Sequence, residues 1–316
     1  MALAILFPYS PLAAQEDPVP ASECCLPMLL PIGARPVALG QALTARAGRD
    51  GVFINPAGLV DVNADEVVVH RSSMAEDAQL TTFGLIIHSA VAGVFAVTYR
   101  LIDFGETDNT DEQGNPIGTS SFIDQVLIAT YATRISRSWS AGISYKLYDF
   151  RDQCEGVCGE RFSGTTHMMD GGLEYRPARL PHLILGGSIV HAGLALQVKN
   201  AAQADPTPSR LRLGAAYEVG HHLQKDTTIQ VWAHADAVGR IRDAGTPALN
   251  VGAEVILDQT IFLRAGHASA SNGITSGGTG LGVGLRYQRF DIGVSKTFST
   301  TALESDPVQI SFGVRF

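Results

Sequence analysis

Between residue 65 and the C-terminus, apolar and polar residues take turns with a period of two, segment after segment. In Ser209 to Val219, the residues Leu211, Leu213, Ala215, Tyr217 and Val219 share one side, and Arg210, Arg212, Gly214, Ala216 and Glu218 share the other. Successive side chains of a β-strand point to opposite faces, so this is the pattern of a strand with one apolar side. Trp139 to Leu147 repeats it, as do Leu281 to Gln288 and Leu249 to Asp258, where Ile256 is the one misfit. Residues 122–132 and 162–175 choose no face clearly.

Alternation marks about fourteen strands, near 65–74, 79–88, 92–103, 121–134, 139–151, 162–176, 182–192, 209–219, 227–238, 247–258, 261–269, 279–287, 289–298 and 307–316. A soluble sandwich and a membrane barrel both alternate, so the connections decide. Those after even strands are short, as at Gln259-Thr260 and Gln288. Most after odd strands are longer, as at 104–120, 152–161 and 193–208. An up-and-down barrel with tight turns at one end and loops at the other predicts this parity, and Greek-key crossings do not. The expected fold is therefore all-β: a transmembrane antiparallel up-and-down β-barrel of about fourteen strands with a short N-terminal helical plug. Its apolar side faces lipid and its polar side the lumen.

Composition agrees. Hydrophobic residues make up 45% and charged residues only 17%, with a net charge of −8. That leaves no basic face for nucleic acid. No internal run of about 20 apolar residues exists, which excludes helical spans but not strands. Aromatic residues, at 7%, are thin for two interfacial girdles.

The chain opens MALAILFPYSPLAA, an apolar run ending in small residues, and residues 1–14 are read as a signal peptide, without a basic start. Export suits the cysteines: Cys154 and Cys158, flanked by charge and Gly, read as a loop disulfide. The pairing of Cys24 and Cys25 is not readable. Residues 15–64 form the plug segment and 65–316 the barrel. Within the plug, Val37, Leu39, Ala42, Leu43 and Ala47 suit an amphipathic helix stopped by Gly48, and Asn55 looks like a cap residue with Pro56 at the first helical position.

The last residues, Val308 to Phe316, are apolar at every second position back from a terminal Phe. Phe312, Val314 and Phe316 resemble the assembly signal that barrel-insertion machinery reads as an added strand. Gly33-Ala34-Arg35-Pro36-Val37-Ala38-Leu39-Gly40-Gln41-Ala42, followed by Val52 to Leu59 with Asn55-Pro56-Ala57-Gly58-Leu59, resembles the N-terminal region of the PorV/PorQ family, within the wider FadL-like outer-membrane proteins. The resemblance implies a barrel of fourteen strands with its N-terminal segment in the lumen, placed in the bacterial cell outer membrane. It implies a non-enzymatic role in a type IX-like protein secretion system, with secretion-system subunits and exported cargo as partners. The alternative is a FadL-like transporter of hydrophobic small molecules.

No Ser–His motif suggests catalysis, nothing asks for a cofactor, and no ligand set suggests a metal. His221-His222 read as turn residues. Asp108 to Gly114 read as a solvated acidic loop that lacks the twelfth-position Glu of a calcium site. The functional lead is the set of charges expected to face the lumen: Arg210, Arg212, Glu218, Glu254, Arg264 and Arg286, with Arg315 beside them. They either pair with one another and with the plug, or line a polar path.

Overall fold

The computed structural model describes residues 23–73, 78–157, 162–198, 204–224, 227–242, 245–269, 277–299 and 307–316, with the side chains of 221–224 and 299 excepted. Fourteen strands close into one antiparallel barrel: β1 (Glu66–Ser73), β2 (Gln79–Ser89), β3 (Gly93–Thr110), β4 (Pro116–Arg134), β5 (Trp139–Gly156), β6 (Ser163–Tyr175), β7 (Leu183–Gly193), β10 (Arg210–Gln224), β11 (Thr227–Arg240), β12 (Ala248–Leu257), β13 (Ile261–Ala268), β14 (Gly278–Tyr287), β15 (Phe290–Ser299) and β16 (Val308–Arg315). A two-stranded ribbon, β8 (Leu196–Gln197) with β9 (Ala204–Asp205), fills part of the connection between β7 and β10. Each barrel strand pairs with its sequence neighbour, and β16 closes on β1 through Val314↔Val67 and Phe312↔Val69. Closure leaves no sheet edge to cap. Short turns and both barrel termini gather at one end, and longer connections at the other.

The alternating pattern resolves as apolar-out. Leu213 is 56% exposed and Leu249 59%, while Arg210 on the inner side of β10 is 1% exposed and Glu254 on β12 is 1% exposed. No second layer of protein covers the outer apolar side among the described residues, so the stacked-sandwich alternative fails. Aromatic residues concentrate at the short-turn end. There Trp139 stacks on Tyr175 at 4.5 Å, Tyr131 packs on Phe95 at 4.8 Å, and Tyr287 and Phe316 stand exposed. The few aromatics thus furnish one full girdle at that end.

Three local expectations are corrected. The stretch 104–120 is not one long loop: β3 and β4 continue as a ladder to the pair Thr110↔Pro116, leaving only 111–115 as the connection. His221 and His222 lie in β10, paired with Gln230 and Ile229 of β11, and not in a turn. The expected helix through Ala47 is only α1, Ala34–Ala38. Gly40 and Gln41 both take positive φ (58° and 63°) and turn the chain out of helix. Gly40 does so hard against the backbone of His267, where a Cβ would not fit.

The segment from Ala34 to Asp61 lies inside the barrel and runs around its wall. Ala34 sits beside Gly293 of β15 and Val37 against Gly280 of β14. Leu39 meets Gly266 of β13 and Gly252 of β12, Thr44 meets Gly214 of β10 and Gly186 of β7, and Asn55 and Pro56 meet Gly172 of β6 and Gly142 of β5. Several of these glycines are direct cross-strand partners: Gly142↔Gly172, Gly186↔Gly214, Gly252↔Gly266 and Gly266↔Gly280. They form a shelf without side chains on which plug backbone rests in van der Waals contact.

Candidate functional site

The lumen is a plug clamped to a charged wall, with a cleft left beside it. Asn55 is fully buried and caps the 3-10 turn Pro56–Asp61: its Oδ1 accepts from Ala57 N at 3.2 Å. Its Nδ2 donates to Thr44 O (2.7 Å) and to Leu173 O of β6 (3.1 Å), so one side chain ties the turn, the preceding plug loop and the wall together. Pro56 occupies the first turn position, where no N–H is needed. Ala57 is fully buried, Gly58 packs on Ala47, and Leu59 enters an apolar cluster with Ile86, Ala96 and Val126.

Ion pairs clamp the plug around the same circle. Glu254 receives Arg46 Nη1 at 2.6 Å and Arg35 Nε at 3.4 Å from the plug, and Arg264 Nε at 2.7 Å from β13. Arg46 also lies over the Trp232 ring, 4.3 Å from its centroid. Asp236 of β11 accepts from Thr44 N (3.0 Å) and Thr44 Oγ1 (2.5 Å) and pairs with Arg212 at 3.1 Å. Arg212 in turn donates to Gln41 O at 2.7 Å. Arg49 reaches Asp291 of β15 (2.7 Å) and Glu66 of β1 (3.4 Å). At the short-turn rim, Arg176, just past β6, holds Asp61 at 2.6 Å. Buried charges need partners, and here nearly every one has them.

The exception lines the cleft. A strap of chain, Glu23–Ile32, crosses the lumen above the plug and carries the 3-10 turn Leu26–Leu29. Between strap and wall lies a narrow cleft of about 50 Å³. Met28, Ile32 and Phe53 give it an apolar side, and Arg100, Lys146 and Arg210 a basic one. Lys146 is neutralised by Asp170 at 2.5 Å and touches His191 at 3.1 Å, and Arg210 takes Glu23 in a two-pronged pair at 2.9 and 2.7 Å. Arg100 of β3, 1% exposed, has no hydrogen-bond partner for Nε or Nη2 among the described residues. Asp124 lies within electrostatic reach of it, but one Asp124 oxygen is taken by Tyr148 Oη at 2.8 Å. At the cleft wall β7 carries a bulge, with Val190 and His191 opposite Asp170 of β6 alone. His191 takes φ 59°, and its N–H donates to Asp170 at 2.8 Å.

The charges expected in the lumen divide by location. Arg212, Glu254 and Arg264 clamp the plug, and Arg210 holds the strap. Arg286 pairs with Asp291 at 3.1 Å and, like Arg264, stands 4.9 Å from the Phe262 ring centroid. Arg315 reaches Glu66 at 3.9 Å, and Glu218 pairs with His182 at the short-turn rim at 3.1 Å. Arg100, Lys146, Asp170 and His191 escaped the sequence reading. Lys146 stood on the polar side of a clean strand and could have been read; on β6 the pattern is blurred because inward Met168 sits beside outward Met169. Phe312 lies outward on β16 and Phe316 is 67% exposed at its end; Val314 pairs with Val67 and Phe290, so the three residues are part of barrel closure. Residues 1–14, read from the sequence as a signal peptide, and Cys158 lie outside the described residues. Cys24 and Cys25 are bonded to each other. In the acidic 108–114 stretch, Asp111 turns its oxygens inward to Asn115 and Gln113, and these hydrogen bonds, the Asn115 side chain first, hold its carboxyl below the usual range. No group of three metal-ligating residues occurs among the described residues.

No family model matches the sequence, and no curated protein matches it. Solved structures do match in fold. The monoaromatic hydrocarbon channel CymD aligns over 91% of this chain and 98% of its own, with a TM-score of 0.61 and 12% identity. The Ralstonia pickettii toluene transporter TbuX aligns over 90% and 98%, with a TM-score of 0.58 and 12% identity. A Pseudomonas aeruginosa FadL homologue aligns over 91% and 99%, with a TM-score of 0.51 and 11% identity. These likenesses lend no support to a PorV/PorQ assignment; what the chain shares with these proteins, over nearly its whole length and theirs, is the fold of a FadL-like barrel.

Proposed function

We propose that this protein is an outer-membrane channel, not an enzyme, that passes small hydrophobic molecules bearing an acidic group. The observation that carries the reading is the cleft: one side apolar, the other holding the buried Arg100 with two donor atoms unmet among the described residues. An apolar pocket with a few convergent polar groups is a ligand site, and a buried guanidinium with free donors seeks a planar anion. The exposed apolar band supports a place in lipid. The resemblance in fold to hydrocarbon channels supports transport over the secretion role that the sequence suggested. Lipid and the barrel-insertion machinery are then its partners.

Titration of the purified protein with 1-naphthoate and with naphthalene, followed by ligand fluorescence, tests the reading. Arg100→Leu is expected to weaken naphthoate at least about tenfold, the worth of a hydrogen bond to a charged group, and to spare naphthalene. If neither ligand binds, before or after treatment with dithiothreitol, the channel reading falls. If deleting the gene abolishes surface display of exported proteins and leaves hydrophobic uptake intact, the secretion role replaces it.

A further inference from the structure

The strap Glu23–Ile32 is held at its two ends in different ways. Glu23 is gripped by Arg210 at 2.9 and 2.7 Å and by Arg240 at 3.5 Å, and Cys24 N donates to Pro206 O at 2.9 Å. At the other end Gln309 of β16 accepts from Gly33 N at 3.1 Å and donates to Pro31 O at 3.0 Å, and Gly33, at φ 94°, turns the chain into the plug. Between them, Cys24 and Cys25 are joined side chain to side chain. Cys25 takes φ 57°, a left-handed conformation that costs an L-residue, and its carbonyl starts the 3-10 turn by accepting from Met28 N at 2.9 Å. That turn brings Met28, Leu29 and Leu30 over the cleft.

We infer that the Cys24–Cys25 bond is a thiol-operated catch on the strap, and that breaking it frees the strap and opens the cleft to ligand. The ring closed by two adjacent cysteines fixes the turn that delivers Glu23 to Arg210. Without it, Cys25 relaxes to negative φ and the turn that covers the cleft loses its start. Arg210 then trades Glu23 for solvent or for an acidic ligand, adding a second cation beside Arg100. The chemistry is thiol–disulfide exchange with a dithiol reductant. The sulfur–sulfur bond breaks, the dithiol supplies two electrons and two protons, both cysteines become thiols, and the reductant closes to its own disulfide. Both cysteines are 7% exposed, so exchange proceeds when the strap lifts and captures the lifted form.

The functional meaning of the catch rests on the cleft being the ligand's way in; the strap's motion is measured with no ligand present. In full-length protein carrying Cys154→Ser and Cys158→Ser, thiols are counted by iodoacetamide labelling and mass before and after dithiothreitol. Hydrogen exchange of the Met28 and Leu30 amides is followed in each form. The oxidised protein is expected to show no free thiol, and the reduced one two thiols with exchange at least about tenfold faster. Adding Cys24→Ser and Cys25→Ser is expected to give the fast rate with no response to dithiothreitol. Two free thiols in protein purified without reductant, or unchanged exchange after proven reduction, would overturn the inference. Failure of naphthoate to bind any form, with exchange responding as expected, would sink the transport reading and leave the catch standing.

Discussion

Asn55 fills the space in front of Gly172 so fully that its Oδ1 occupies the place a Cβ on that glycine would take. Its neighbour Gly171 has nothing within 4 Å of a Cβ. Two adjacent glycines of β6 thus carry opposite expectations. Gly172→Ala forces the plug off its shelf and is expected to destabilise the barrel by about 1–3 kcal/mol, the usual cost of overpacking. Gly171→Ala is expected to leave stability unchanged within about 0.5 kcal/mol. The temperature at which the folded band gives way to the unfolded one on a gel reads both, and equal midpoints would refute the shelf.

Glu254 neutralises three arginines at once and is 1% exposed. Its removal strands Arg46 and Arg264 within the lumen, while Arg35 keeps Asp50 at 3.3 Å. Breaking a buried pair by deleting one partner costs about 3–5 kcal/mol, because the remaining charge has no water to return to. Glu254→Gln is expected to lower the unfolding free energy of the reconstituted protein, measured by urea titration, by an amount in that range. Glu112→Gln, on the exposed hairpin tip, is expected to do nothing.

The architecture was legible because the outer face obeys one simple rule. Leu211, Leu213, Leu249 and Val251 all meet the same surroundings, so period two survives in the sequence. The inner face meets the plug, and the plug is not uniform. Val126 and Ile128 face apolar plug residues, which makes β4 apolar on both sides and erases its alternation. The plug itself was misread for the same reason. Apolar spacing suggested a helix to Ala47, but those residues are apolar because a wall surrounds them, and the shelf of glycines dictates their path. Arg100 could be placed on a strand from sequence, yet its unmet donors depend on where Asp124, Tyr148 and Glu23 end up, which no local pattern encodes.

The hairpin tip offers a check outside the barrel wall. Asp111 is half-buried in the turn, and the hydrogen bonds from the Asn115 side chain and backbone hold its carboxyl below the ordinary aspartate range. A depressed carboxyl contributes order above the ordinary range and loses it as pH falls through the depressed value. The 111–115 turn is therefore expected to stay ordered at neutral pH and to loosen only on the acid side of that range. Asn115→Ala is expected to raise the Asp111 titration midpoint, measured by carboxyl carbon NMR; an unmoved midpoint would remove Asn115 as the cause.

Arg212 and Leu213 are consecutive residues whose side chains belong to different solvents. Arg212 points inward to Asp236 and Thr44, and Leu213 points outward, 56% exposed. In lipid, Leu213→Arg is expected to cost about 2–4 kcal/mol, the penalty for a cation on the lipid face near mid-depth of a barrel. Arg212→Leu is expected to be costly for a different reason, because it leaves Asp236 buried without its cation. The two losses separate on transfer from bilayer to detergent of short chain length. The first should shrink as the apolar surroundings thin, and the second should persist, since the lumen is unchanged. Urea unfolding of both variants in vesicles and in micelles measures the difference. If Leu213→Arg is as stable as the parent in vesicles, the outer face of β10 does not meet hydrocarbon, and the placement of the barrel in a membrane is wrong.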